Sequence, residues 1–139
     1  MSDPRDLARH LPLSNRPRQD ESAVDDDWGA RLAALVDAGA AGAAVDRARA
    51  RRRVRIGDLG AALAEAWETQ PRLTVDPTTS GAVALARALA APLPIRAVVR
   101  GRTLRATDAG WEFGTGPEIA GTARDLVLFL YGRGPVPSA

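Results

Sequence analysis

The stretch from Arg100 to Ile119, with the apolar run Leu126-Val127-Leu128-Phe129-Leu130-Tyr131 after it, limits what this chain can fold into more than any other. Apolar and polar residues alternate through Leu104-Arg105-Ala106 and again through Trp111-Glu112-Phe113. Between them Asp108-Ala109-Gly110 tolerates a tight reversal, so the pattern predicts a β-hairpin. Gly114-Thr115-Gly116-Pro117 turns the chain again, and Glu118-Ile119-Ala120 is expected to add a third strand. Such a sheet needs a cover. The apolar run alone has no informative period, but its ends identify a helix. Thr122 stands where an N-cap belongs with Asp125 three residues later, and Gly132 supplies a left-handed stop.

Upstream the chain reads as helical. Asp25-Asp26-Asp27 places negative charge at a helix start, and Trp28, Leu32, Leu35 and Val36 follow at helical spacing. Gly39 and Gly42 mark either a break or a close helix contact. Asp58 is expected to cap a helix whose Leu59, Ala62, Leu63, Ala66 and Trp67 form one face. Asp76-Pro77 opens another, with Ala82, Leu85, Ala86 and Leu89 as its buried stripe and Pro92 and Pro94 as its stop. Ile95 to Val99 then leads into the sheet, with Gly101 a bulge. The expected class is α+β: N-terminal helices, then a small antiparallel sheet covered by a C-terminal helix. Residues 1–24, with Pro4, Pro12 and Pro17, read as a flexible arm; 25–134 form one domain, helical over 25–91 and sheet plus helix over 92–134; 135–139 are a tail.

Composition narrows the chemistry. Without cysteine there are no disulfides, thiolate metal sites or thiol nucleophiles. No apolar run is long enough to cross a bilayer and no signal-peptide core begins the chain, which predicts a soluble cytoplasmic protein without membrane contact. Aromatic residues are 4% of the chain, so packing relies on Leu, Val and Ala with Trp28, Trp67, Trp111 and Phe129 as anchors. The basic side chains are all Arg, and a net charge of only +2 holds the isoelectric point high because almost nothing else titrates above neutrality. Charge is unevenly spread: residues 1–46 hold 5 Arg against 9 acids, and residues 47–139 hold 14 Arg against 8.

Several clusters are candidates for function. His10, the one histidine, has no partners for a catalytic site in its segment. Glu65 and Glu68 lie three apart on one helix face, at the spacing of a metal or acid/base pair, and equally of ordinary surface residues. Arg51, Arg52 and Arg53 sit in the densest charge run, a possible polyanion contact, though no aromatic platform is interleaved to stack bases. Arg100, Arg102 and Arg105, with Trp111, are the candidate ligand or partner contacts. Alternation puts Arg100 and Arg102 on one hairpin face and Arg105 on the other, and the planar guanidinium suits carboxylates.

The string Arg100-Gly101-Arg102-Thr103-Leu104-Arg105-Ala106-Thr107-Asp108, then Trp111, Gly114-Thr115-Gly116-Pro117-Glu118 and Gly132-Arg133, resembles the C-terminal domain of the mycothiol-dependent maleylpyruvate isomerase family over about residues 54–134. The resemblance implies an actinobacterial-like α/β domain that normally follows a four-helix bundle of the DinB type. That bundle holds a divalent metal through histidine and glutamate and uses mycothiol. The family's Glu-x-x-x-His aligns with Ala61 to Glu65, with Trp67-Glu68 after it, so neither ligand is retained. Mycothiol or a divalent metal is therefore expected only if the family activity survives. A further likeness to sterol-carrier-like folds implies a small apolar-ligand pocket between sheet and helix.

These readings converge on a stand-alone, non-catalytic relative of that domain. It would act as a binding or regulatory module through a protein partner or self-association, with exposed apolar surface on the Asp58 to Trp67 helix when the partner is absent. The alternatives are an isomerase or thiol transferase, or a subunit of one, and an Arg-rich nucleic-acid-binding protein.

Overall fold

A computed structural model describes residues 28–137; the proposed arm, His10, Asp25-Asp26-Asp27 and the last two residues lie outside the described residues. The elements are residues 28–37 (α1), Ala43–Arg49 (α2), Ile56–Thr69 (α3), Pro77–Ala90 (α4), Leu93–Val99 (α5), Thr103–Ala106 (β1), Glu112–Gly114 (β2), Glu118–Gly121 (β3) and Ala123–Leu130 (α6). The α+β order of helices, sheet and covering helix agrees with the sequence reading.

Local chemistry sets most of the boundaries. After α1, Gly39 N–H donates to Val36 O and Ala40 N–H to Leu35 O, a paired closure that needs the left-handed φ of +113° at Gly39. Gly42 then precedes α2, where a Cβ would strike the Glu65 carboxylate, whose Oε1 accepts from Ala44 N–H at 2.7 Å. One glycine is thus a break and the other a close contact. Asp58 proves to lie in the first turn of α3 rather than at its cap, accepting from Arg55 N–H at 3.0 Å. Asp76 caps α4 as expected, accepting from Thr78 N–H at 3.0 Å with Pro77 behind it.

α3 is the centre of the helical layer and packs against α2, α4 and α6. Leu59, Ala62, Leu63 and Ala66 are fully buried, and Trp67 donates from Nε1 to Leu73 O at 3.0 Å. The expectation of exposed apolar surface on this helix is overturned, because the chain's own helices cover it.

The sheet has the order β2-β1-β3 and is mixed, which corrects the antiparallel expectation. β2 pairs antiparallel with β1, with Leu104 opposite Phe113, while β3 runs parallel to β1, with Leu104 opposite Ile119. The cause is the connection: on leaving Gly114 the chain crosses the start of β1 and descends on its far side. A Cβ on Gly114 or Gly116 would strike the carbonyl oxygens of Arg102 and Gly101, and both residues have positive φ, +96° and +111°. Thr103 fastens the crossing, donating from N–H to Pro117 O and from Oγ1 to Gly116 O, each at 3.0 Å. The glycine-rich turn is therefore a crossing that side chains would block.

A second correction concerns Ile95 to Val99, which is helical. Pro92 precedes α5 and Pro94 sits in its first turn, where a missing N–H costs nothing, so the prolines that end α4 also begin α5. Gly101, at φ +69°, turns the chain after α5 instead of forming a bulge.

α6 lies between the sheet and helices α3 and α4. Two orphan donors at its start are satisfied from different directions: Thr122 Oγ1 accepts from Asp125 N–H at 3.1 Å, and Asp108 of the hairpin turn accepts from Ala123 N–H at 2.8 Å. It ends as expected at Gly132, φ +72°, with Gly132 N–H donating to Phe129 O and Arg133 N–H to Leu128 O. Just beyond, Arg87 lies over the Tyr131 ring, 4.4 Å from its centroid, and donates from Nε to Leu130 O at 3.0 Å. The Tyr131 hydroxyl rests against Gly60 of α3, where a Cβ would collide with it.

Two predictions follow from this packing. Gly116→Ala should cost about 2 kcal/mol or more in chemical denaturation, whereas Gly57→Ala, in a helical turn with open space around it, should stabilise by up to about 1 kcal/mol. The second concerns alkali. Burial pushes the Tyr131 phenol above its ordinary value, against a smaller lowering by Arg87. The unfolded chain then ionises first, so stability is intact below about pH 10 and falls as pH rises from there towards the folded-state value. In a chain with one tyrosine and no cysteine, Tyr131→Phe should remove that decline from urea unfolding curves.

Candidate functional site

α4 faces the core with the side opposite to the one its leucines suggest. Thr79, Ser80, Val83 and Ala84 are buried, while Leu85 is 46% and Leu89 75% exposed, which corrects the expected stripe. Fit and hydrogen bonding select the inward face. Ser80 Oγ donates to Pro77 O at 3.2 Å and accepts from Trp111 Nε1 at 3.0 Å, and Thr79 Oγ1 accepts from Arg31 at 2.8 Å. Gly81 admits the Trp111 indole, which stacks on Phe113 at 5.8 Å between centroids. With its buried hydroxyls partnered, a face of small residues lets α4 lie close to α6, and the leucines are left outside.

The exposed line continues around an elbow. The α4 and α5 axes bend by 113° at the break between them, and Leu93 on α5 is 71% exposed. Beyond Leu93 lies an open groove of about 300 Å³, lined by Ala88, Leu93, Arg96, Ala97, Val99 and Arg100. From residue 77 to residue 107 the chain has five arginines and no acid. Arg87 is turned inward, and Arg105 Nε is paired with Glu118 at 3.1 Å. Arg96 and Arg100 are exposed, and neither has a carboxylate partner among the described residues. The site is thus an apolar ridge of three leucines bordered by two arginines.

The predicted contacts are only partly gathered here. Arg100 borders the groove from the end of α5, Arg102 is half-buried in the link to β1, and Arg105 is tied to β3, so the three do not form one row. Trp111 binds within the fold, to Ser80 and Phe113. Arg51, Arg52 and Arg53 are exposed between α2 and α3, and Arg51 Nε lies 3.2 Å from Asp58, at the start of α3. Glu65 and Glu68 serve separate partners, Ala44 N–H and Arg133. Among the described residues no group of three histidines or carboxylates could hold a metal ion. Leu93 and Arg96 are not among the sequence candidates, because Pro92 and Pro94 read as the stop of α4 and Ile95 to Val99 as the approach to a strand; the signal is Pro92-Leu93-Pro94, which is also a helix-start pattern.

Leu89→Gln should therefore change folding stability by less than about 0.5 kcal/mol, while Val83→Gln, six residues earlier on the buried face, should cost about 3 kcal/mol, both read from denaturation midpoints. No single helix among the described residues is long and apolar enough to cross a membrane. No family model, curated protein or solved structure matches the chain.

Proposed function

We propose that this chain is a cytoplasmic binding module whose α4–α5 ridge receives an acidic, amphipathic helix of a protein partner. The observation that carries the reading is the exposed set Leu85, Leu89 and Leu93 within an acid-free stretch that also holds the exposed Arg96 and Arg100. Burying a leucine side chain is worth about 1.5 to 3 kcal/mol, enough for three to support reversible association, and Leu85 and Leu89, four apart on α4, suit an apolar helical face. Charge selects the partner. A second copy meeting this face with its own would bring no acid from residues 77–107 to the arginines, whereas carboxylates flanking an apolar stripe would meet both features at once.

This reading fits a stand-alone relative of the C-terminal domain of mycothiol-dependent maleylpyruvate isomerases. Its partner would be a separate helical protein in place of the covalently joined bundle.

The test uses the full chain and a designed helical peptide with leucines on one face and glutamates on the other, followed by fluorescence anisotropy. A lysine version and vesicles of anionic lipid serve as comparisons. The glutamate peptide should bind at least about tenfold tighter than the lysine peptide, because like charges at the ridge oppose the latter. Leu89→Ser, or Arg96→Ser with Arg100→Ser, should each weaken it about tenfold. Equal binding of the two peptides, or binding to vesicles through these same residues, would refute the proposal.

A further inference from the structure

We infer that the groove at the α4–α5 elbow takes one aromatic side chain of the partner, with a carboxylate next to it, and that this anchor decides which acidic amphipathic helices are accepted. This rests on the ridge being a docking surface for such a helix.

The groove follows from two helices that part. α4 and α5 diverge by 113°, and Ala88 of α4 and Ala97 of α5 line the corner with side chains too short to fill it. Leu93 and Val99 add aliphatic surface, and about 300 Å³ is left open. Sites for whole small molecules begin at about that volume, so a space of this size at the edge of a docking surface suits a single side chain. Leu93, Arg96, Ala97 and Arg100 recur at helical spacing and share one face of α5. Arg96 and Arg100 therefore border the groove one turn apart, both exposed and neither with a carboxylate partner among the described residues.

That border selects the side chain. An aliphatic residue would fill the space, but an aromatic ring also meets the cations, because its negative face attracts a guanidinium. The fold uses this pairing elsewhere: Arg87 lies 4.4 Å from the centroid of the Tyr131 ring. With one guanidinium over the ring, the other is left to grip a neighbouring carboxylate through its planar fork. Aromatic side chains seated in pockets carry much of the binding at protein interfaces, so the anchor outweighs its size.

The ring must come from another protein. The chain has three Trp, two Phe and one Tyr, and all six lie among the described residues. Trp67 and Phe129 are buried, while Trp28, Trp111, Phe113 and Tyr131 pack against the core. A second copy has no aromatic side chain to insert, and the groove thereby separates a foreign helix from self-association.

The test gives the glutamate peptide an alanine, a leucine or a phenylalanine one turn beyond its first or its last leucine, and follows binding to the full chain by anisotropy. Phenylalanine at one of the two ends should bind about tenfold tighter than alanine and about threefold tighter than leucine. In Ala97→Phe the chain's own ring takes the space, and the advantage over alanine should fall below about twofold. N-acetylphenylalanine, added without peptide, should shift the methyl signals of Leu93 and Val99 but not those of Leu85, and N-acetylalanine should shift none of them. Equal binding of the alanine, leucine and phenylalanine peptides would overturn the inference and leave the ridge reading standing. A phenylalanine advantage that persists in Ala97→Phe would also overturn it, since the ring would then sit elsewhere. If N-acetylphenylalanine shifts Leu93 and Val99 and no glutamate peptide binds, the ridge reading fails and the preference of the groove for an aryl carboxylate survives it.

Discussion

Close approach of α3 to its neighbours is the constraint on which the fold depends. A chain with so few aromatic residues cannot fill wide gaps between layers, so its elements must come together on alanine, glycine and serine. Ala62, Ala64 and Ala66 are fully buried, Gly60 yields its place to Tyr131, and Gly42 yields its place to Glu65. The same demand governs α4. Its small, hydroxyl-bearing side fits where its leucines would hold the layers apart. An exposed set of leucines is thus a by-product of tight packing.

The sheet obeys the same economy of space. Three short strands are held by a crossing that only glycine can make and by polar bonds at its edges, with Thr103 at the crossing and Trp111 reaching α4 through Ser80. Side chains that a sequence reading marks as conspicuous, Trp111 and Glu65 among them, are used up in joining one element to another. Among the described residues, Arg96 and Arg100 at the border of α5 face outward without a carboxylate partner.

Much of this was legible in the residues. The hairpin, its cover, the stop at Gly132 and the cap at Asp76 follow from bonding rules that act within a few positions, and these hold in the structure. The direction of β3 was not legible, because it depends on which side of β1 the chain lands after a three-residue passage. Nor was the rotation of α4: periodicity identified Leu85 and Leu89 as one face, but Thr79 and Ser80 gain long-range partners on Arg31 and Trp111 that no local pattern displays. The candidate site was hidden for that reason, since it consists of the very leucines that spacing assigned to the interior.

Asp108 makes the hairpin turn and the start of α6 mechanically one object. Its carboxylate accepts from Ala123 N–H across fifteen positions of chain, so α6 has its first donor satisfied only while the hairpin is closed. Sheet and covering helix are thereby coupled, so that opening the tip of the hairpin costs the first turn of a helix to which it does not belong one of its bonds.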